Sequence, residues 1–373
     1  MMGEPHIPTF DELLQSIETA AQHPSDTCWD IYRFLHAHVG KESLSSAEAR
    51  TILSAYMKIA SPQASLIHSR MLYVALQMAE AYADFRLPAF LSLWGWPERM
   101  RPEDSEDQVD KEGKRYLSLK VRTERALQTY LLHHPEERTV DDACGILPMV
   151  AVKVFQTERD GRKVRSVKLV GPQGEELLAD SHVFACKPWE IQGRLYDVLV
   201  RTSKEGNDRA QEVVPSQYDI ATLFPPVTGY VERVDMEHAH YHVYDNASRH
   251  FVAEKPALRL QKGDFVRFAP IVPAKDTFKS AVVLAVLPVD EGRMSFGLHP
   301  ATITYLNREK GYFAYRLTSL VPATSEGTIT AEGTADLSLC PTVEKGQTVQ
   351  LLLFLTRGKD GAKHNHVAQV VLP

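Results

Sequence analysis

The sequence is poor in cysteine and has no CxxC pair. Cys28, Cys144, Cys186 and Cys340 are scattered through 373 residues, a distribution that supports neither a disulfide framework nor a thiolate zinc site. Nowhere do eighteen apolar residues run together, so no membrane-spanning helix is expected. The opening residues, MMGEPHIPTF, lack a basic stretch and an apolar stretch of the secretory kind, and a cytoplasmic location is expected. The familiar catalytic signatures are missing too: GxSxG, GxxxxGK[ST], a GxGxxG after a strand, HExxH and a placeable carboxylate pair. A non-enzymatic protein without a cofactor is the expectation. Positive charge is also in short supply. The formal net charge is −6, running from −5 over residues 1–140 to +2 over 292–373. Because Lys and Arg supply most non-specific affinity for nucleic acid, that balance argues against a tight, sequence-blind DNA coater.

What the chain does have is core material. Apolar residues make up 44% and charged residues 24%, a globular composition, and at about 150 residues per domain the length suggests two to four domains. The first third reads as helical. Thr9 is placed to cap a helix in which Phe10, Leu13, Leu14 and Ile17 recur at helical spacing. Further helices are predicted over 29–39, from Ser45 or Ser46 to Ile59, over 65–85 and over 114–133. Joined by short loops they suggest a helical-hairpin array of the tetratricopeptide sort, although no clean period of about 34 residues can be traced. Trp94 and Trp96, followed by an acidic run, read either as a binding loop or as aromatic packing followed by a solvated loop.

Beyond residue 140 one pattern occurs three times, at Gly193 to Pro215, Gly263 to Pro288 and Gly346 to Pro373. Each copy is a glycine, an alternating apolar strand, a polar turn and a second strand. Such a hairpin cannot bury its apolar face alone, so each should close a small β unit begun upstream. The fold class expected is therefore α+β multidomain: an all-α domain at 1–140, then five-stranded OB-like barrels at 141–224, 225–291 and 292–373.

The second and third β modules permit a sharper statement. GYVERVDMEHAHYHV from Gly229 and ATITYLNREKGYFAY from Ala301 resemble the opening strands of cold-shock domains, roughly GxVKWFNxEKGFGFI. Thr302, Asn307, Glu309, Lys310 and Gly311 fall on the pattern without gaps. The closing hairpin of that family is echoed by Glu344, Gly346, Gln347, Val349, Gly358, Lys359 and Gly361. The resemblance covers about two-fifths of the chain.

Cold-shock domains stack the bases of single strands on aromatic side chains beside Lys and Arg. Carried over by position, the resemblance implies a contact surface of Tyr305, Lys310 and Tyr312 in module three and of Arg233, His240, His242 and Phe251 in module two. Ala314 stands where the family has its second motif Phe, and the 328–333 stretch TITAEG lacks the family's other aromatic motif. Strand alternation turns Tyr312 and Ala314 outward and Phe313 and Tyr315 inward.

Other readings of these residues remain open. His238, His240 and His242 share one face, but same-face residues on a strand lie about 6.5 Å apart, so a three-histidine metal site would need help from another strand; no metal is expected. Titration of this face is expected below about pH 6.5. His364 and His366 read as solvated loop residues. Tyr305 and Tyr312 suit packing against a neighbouring module as well as they suit bases. The preferred expectation is an accessory protein that engages single-stranded RNA, or less readily DNA, and a protein partner through its helical domain, without membrane contact. The alternative is a protein–protein scaffold whose barrels have lost nucleic-acid binding.

Overall fold

A computed structural model describes residues 6–60, 65–109, 113, 115–139, 145–159, 162–202, 206–254, 256–275, 279–319, 323–324, 326–358 and 361–372. The chain divides into two compact units, Met1–Cys144 and Gly145–Pro373. No helix among the described residues is long and apolar enough to cross a membrane.

The first unit is helical. It comprises α1 (Phe10–Glu18), α2 (Pro24–His38), α3 (Ser46–Ile59), α4 (Ser65–Ala81), α5 (Leu87–Trp94) and α6 (Leu119–His133), with a short hairpin of β1 (Gln108–Val109) and β2 (Arg115–Tyr116) before α6. Thr9 and Ser45 start α1 and α3 through capping boxes, each accepting from the backbone N–H three residues on while Glu12 or Glu48 reaches back. This pairing satisfies amides that have no partner within the helix. The core gathers Leu13, Ile31, Leu35, Tyr56, Met71 and Trp94, all essentially inaccessible. Trp94 is thus a packing residue, its indole N–H donating to the carbonyl of His68 at 3.2 Å. The helix expected from residue 114 begins at Leu119, where Ser118 caps it.

The second unit carries three five-stranded sheets. The first holds β3 (Ile146–Arg159), β4 (Arg162–Val170), β5 (Glu176–Asp180), β6 (Leu195–Thr202) and β7 (Asp208–Pro215), with a helical turn, α7 (Pro188–Ile191), before β6. After α8 (Ile220–Leu223) come β8 (Val227–Asp235), β9 (His240–Asp245), β10 (His250–Glu254), β11 (Phe265–Ile271) and β12 (Ser280–Leu287). After α9 (Val289–Phe296) come β13 (His299–Asn307), β14 (Tyr312–Leu317), β15 (Glu332–Asp336), β16 (Thr348–Arg357) and β17 (Lys363–Val371). In the middle set β8 pairs with both β9 and β11, and β12 closes the ring by a parallel pairing to β10. A closed barrel of strand order 1-2-3-5-4 is the Greek-key arrangement of the OB kind. The outer two sheets have the same strand order; in them the third and fifth strands approach without a hydrogen-bonded pairing among the described residues, so the middle set is the one closed barrel there, and the three sets are numbered barrels one to three for their shared strand order.

The internal repeat extends to single hydrogen bonds. Gly193, Gly263 and Gly346 each adopt positive φ and donate to the first strand, at Ala151, Val231 and Ile303, over 2.8, 2.9 and 2.8 Å. Those three acceptors are inward core residues, and directly after each the first strand carries a bulge. A side chain at the glycines would oppose the left-handed conformation that starts the fourth strand, which explains why the motif opens on glycine.

The bulge aligns the barrels residue for residue, and this exposes how they stack. Val150, Val170 and Leu195 project from the outer face of barrel one and are buried with Phe224, Ala269 and Ile271, the last two on the closing hairpin of barrel two. The equivalent residues of barrel two, by the same pairings, are Tyr230, Tyr244 and Phe265. They pack with Leu352, Phe354 and Ala368 from the closing hairpin of barrel three. Tyr244 stacks on Phe354 at 4.5 Å between ring centroids. The arrangement is head to tail. In barrel three the equivalent positions are Thr302, Arg316 and Thr348, which bury no cluster of this kind.

Phe354 is fully buried between the two barrels, so Phe354→Ala is expected to cost about 3–5 kcal/mol of unfolding free energy. Thr302→Val, at the uncovered position, should stay within about 0.5 kcal/mol of the parent. Urea unfolding of both variants checks the contrast.

Candidate nucleic-acid interface

The outer face of barrel three is shaped by the bulge in β13 and the tight turn into β14. After the bulge at Thr304, Tyr305 stands opposite Ala314, with Asn307 opposite Tyr312. Tyr305 is 48% exposed, and its ring lies 6.1 Å from that of half-buried Tyr312, tilted by 41°. Asn307 organises the turn: its side-chain oxygen accepts the backbone N–H of Lys310 at 2.9 Å, and Gly311 follows at positive φ. The turn leaves Lys310 exposed, two residues before Tyr312. Phe313 and Tyr315 point into the core, as the alternation requires. Arg316 pairs with Glu332 across β14 and β15 at 2.6 Å. The result is an open strip with two aromatic faces, an ammonium group and polar neighbours. Tyr305 and Tyr312 are thus brought together, with Lys310 in the adjoining turn.

In barrel two, Arg233, His240 and His242 do share the outer face, and a third ring, that of His250, joins them. Arg233 stands opposite His242 and donates from its guanidinium to His242 Nε2 at 2.8 Å. The other nitrogen of that ring, Nδ1, lies 3.0 Å from His250 Nε2. Since guanidinium only donates, His242 accepts at Nε2, carries its proton on Nδ1 and donates it to His250 Nε2. Both imidazoles are neutral in this relay. Sequence reasoning did not single out His250; the signal that would have found it is its place opposite Tyr244 in the strand pairing.

Three expectations are corrected here. Phe251 is not a contact residue: it is fully buried, pairs with inward Val243 and meets Phe268 edge to face at 5.0 Å. The outward positions of β10 are those of His250 and Val252, so the motif aromatic is one residue out of phase with the exposed face. His242 and its neighbour His250 gain charge only below the ordinary imidazole range. Burial, then the Arg233 guanidinium, lowers the pKa of His242. Burial, then neighbouring His242 and Arg233, lowers that of His250 to about 4. His250 reaches solvent on one side, yet packed groups crowd its protonation site. His238 lies in the turn, bonded to Asp235 at 3.0 Å, with its ring centroid 5.7 Å from that of His240. His366 is also not a loop residue; it lies on β17 with its ring 5.2 Å from Phe354.

Among the described residues, one trio brings three metal-type side chains together: His134, Glu136 and Glu137 in the helical unit. Arg86 pairs with both carboxylates and the Tyr130 hydroxyl donates to Glu137 at 3.0 Å, so the trio already has its counter-charge.

No family model and no curated protein matches the chain. Six chains of solved structures match. One of them, drosophila Unr CSD456, is 10% identical, covering 61% of this chain and 97% of that chain at a TM-score of 0.19. That likeness is too slight to bear on fold or function.

The relay sets a pH dependence. An unfolded histidine takes up its proton near pH 6.5, whereas folded His250 does so near 4. The unfolded chain therefore binds more protons between these values, and the stability that depends on neutral His250 is complete above about pH 6.5 and lost as pH falls towards about 4. The melting temperature should drop between about pH 7 and about pH 5, with a shallower drop in His250→Gln. Equal slopes in calorimetric scans of the two proteins would contradict this assignment.

Proposed function

We propose that this is a non-enzymatic single-stranded nucleic-acid-binding protein, with RNA preferred over DNA, whose working surface is the open face of barrel three. It acts in the cytoplasm as an accessory component of a larger assembly and meets a protein partner through the helical unit. One observation carries the reading. The positions that are apolar and covered in barrels one and two are polar in barrel three, and further along the same strands, where barrel two has Arg233 and His240, barrel three carries the tyrosine pair with exposed Lys310 in the turn that joins them. Base stacking on such rings contributes about 1–3 kcal/mol per base and tolerates any sequence. Lys310 suits a phosphate, and the Asn307 amide and Thr304 hydroxyl suit a 2′-hydroxyl. Arg233 and His240 extend the polar surface on barrel two, with His242 held between Arg233 and His250.

A protein scaffold is the second reading, and one finding favours it: two equivalent faces of this same chain bind protein, namely the closing hairpin of the next barrel. The polar trio Thr302, Arg316 and Thr348 weighs against a third such docking. Fluorescence-anisotropy titration with mixed-sequence single-stranded RNA and DNA, at low and physiological salt, separates the two. Binding should weaken with salt. It should fall about tenfold or more in Tyr305→Ala/Tyr312→Ala. Absence of binding by the parent protein at low salt would favour the scaffold.

A further inference from the structure

A second concave place lies at the junction of barrels two and three, away from the tyrosine face. It is a cleft of about 500 Å³, within the range of roughly 300–1,000 Å³ common to small-ligand sites. Tyr244 and His250 stack on each other along one wall at 4.9 Å. Lys279 comes from barrel two, and Arg357 and Lys363 from barrel three. The cleft contains a single carboxylate, Glu326, which is shared by both lysines at 2.8 and 2.6 Å. These bonds hold its carboxyl well down, to about 2. With the histidine neutral, three cations against one carboxylate leave an excess of two positive charges. Exposed Arg357 has no carboxylate partner among the described residues.

Ser248 supplies an independent sign. It is 97% buried by its 3% exposure, sits at the positive φ of 63° that non-glycine residues avoid, and lines the cleft. Its hydroxyl accepts the backbone N–H of Leu355 at 3.0 Å, which fixes the oxygen. Its own proton has no acceptor among the described residues. A strained backbone that presents an unspent buried donor beside an excess of cations is the arrangement expected of an anion site.

We propose that this cleft binds the phosphate group of a nucleotide, with Arg357 and the Ser248 hydroxyl as donors and the two lysines as flanking charge. Phosphate oxygens replace the missing acceptors, and the Glu326 clamp keeps the lysines from closing on one another's space. The phosphate could be carried by a free mononucleotide or by a nucleic-acid strand, and the chemistry at the cleft is the same for both. The proposal stands whether or not barrel three's tyrosine face binds bases.

The test is NMR titration of the full chain, following the His250 ring resonances, with pyrophosphate, uridine monophosphate and a short oligouridylate as probes. Pyrophosphate should shift the His250 signals saturably and raise the pH at which the ring titrates. Arg357→Gln, a surface change that leaves the inter-barrel clamp intact, should weaken binding about tenfold. Glu326→Gln removes the competing negative charge and should strengthen it by a similar factor, with a thermal melt to show that the barrels remain folded. A mononucleotide that binds as well as the oligomer marks a free nucleotide as the source. A much tighter oligomer marks a strand. No response of His250 at millimolar pyrophosphate in low salt would overturn the proposal. So would equal responses in the parent and Arg357→Gln proteins, or weaker binding in folded Glu326→Gln.

Discussion

The packing of each closing hairpin onto the outer face of the preceding barrel is the constraint on which the second unit depends. Barrel one offers Val150, Val170 and Leu195 to the hairpin of barrel two, and barrel two offers Tyr230, Tyr244 and Phe265 to the hairpin of barrel three. A small barrel has a thin core, and adding a second apolar layer outside it increases the surface each module buries. The same geometry must stop somewhere. A heterologous contact that does not close propagates from chain to chain if its last face is as apolar as the others. Thr302, Arg316 and Thr348 end the series by making the final face polar, and that termination leaves a surface free for a ligand.

The junction of barrels two and three is held differently on its two sides. Its centre is aromatic, with Tyr230, Phe265, Phe296 and Phe354 in mutual contact. Its edge is ionic and includes the Lys279–Glu326–Lys363 bridge between barrels. The neutral relay from Arg233 through His242 to His250 borders that edge. Charge placed there acts on both barrels at once, so the junction's geometry and the cleft's affinity for anions are coupled through the same side chains.

Much of this was legible in the sequence. The three glycine-led hairpins stood out because period-two alternation and a left-handed glycine are local signals; each supplies the last two strands of its sheet, and the middle one closes its barrel. Thr9 and Ser45 were readable as caps for the same reason. Inward Phe313 and Tyr315 followed from alternation counted forward from Lys310. Phe251 was misread because the family pattern was carried into β10 without a register count: its pairing with Val243 turns it inward, and His250 takes the outer face. The covered faces were not legible at all, because Tyr230 and Tyr244 look like any strand aromatics until the bulge aligns them with Val150 and Val170. Nor was the cation cleft, whose residues lie more than a hundred positions apart at the extremes and meet only when two barrels dock.

The central claim is that the uncovered face of barrel three is where single strands bind. Ultraviolet crosslinking of the full chain to a uridine-rich RNA, with the attached peptides identified by mass spectrometry, addresses it directly. The account requires crosslinks at Tyr305 or Tyr312 and none at the covered residues Val150, Val170, Tyr230 and Tyr244. Crosslinks confined to barrels one and two, with none in residues 299–317, would contradict it.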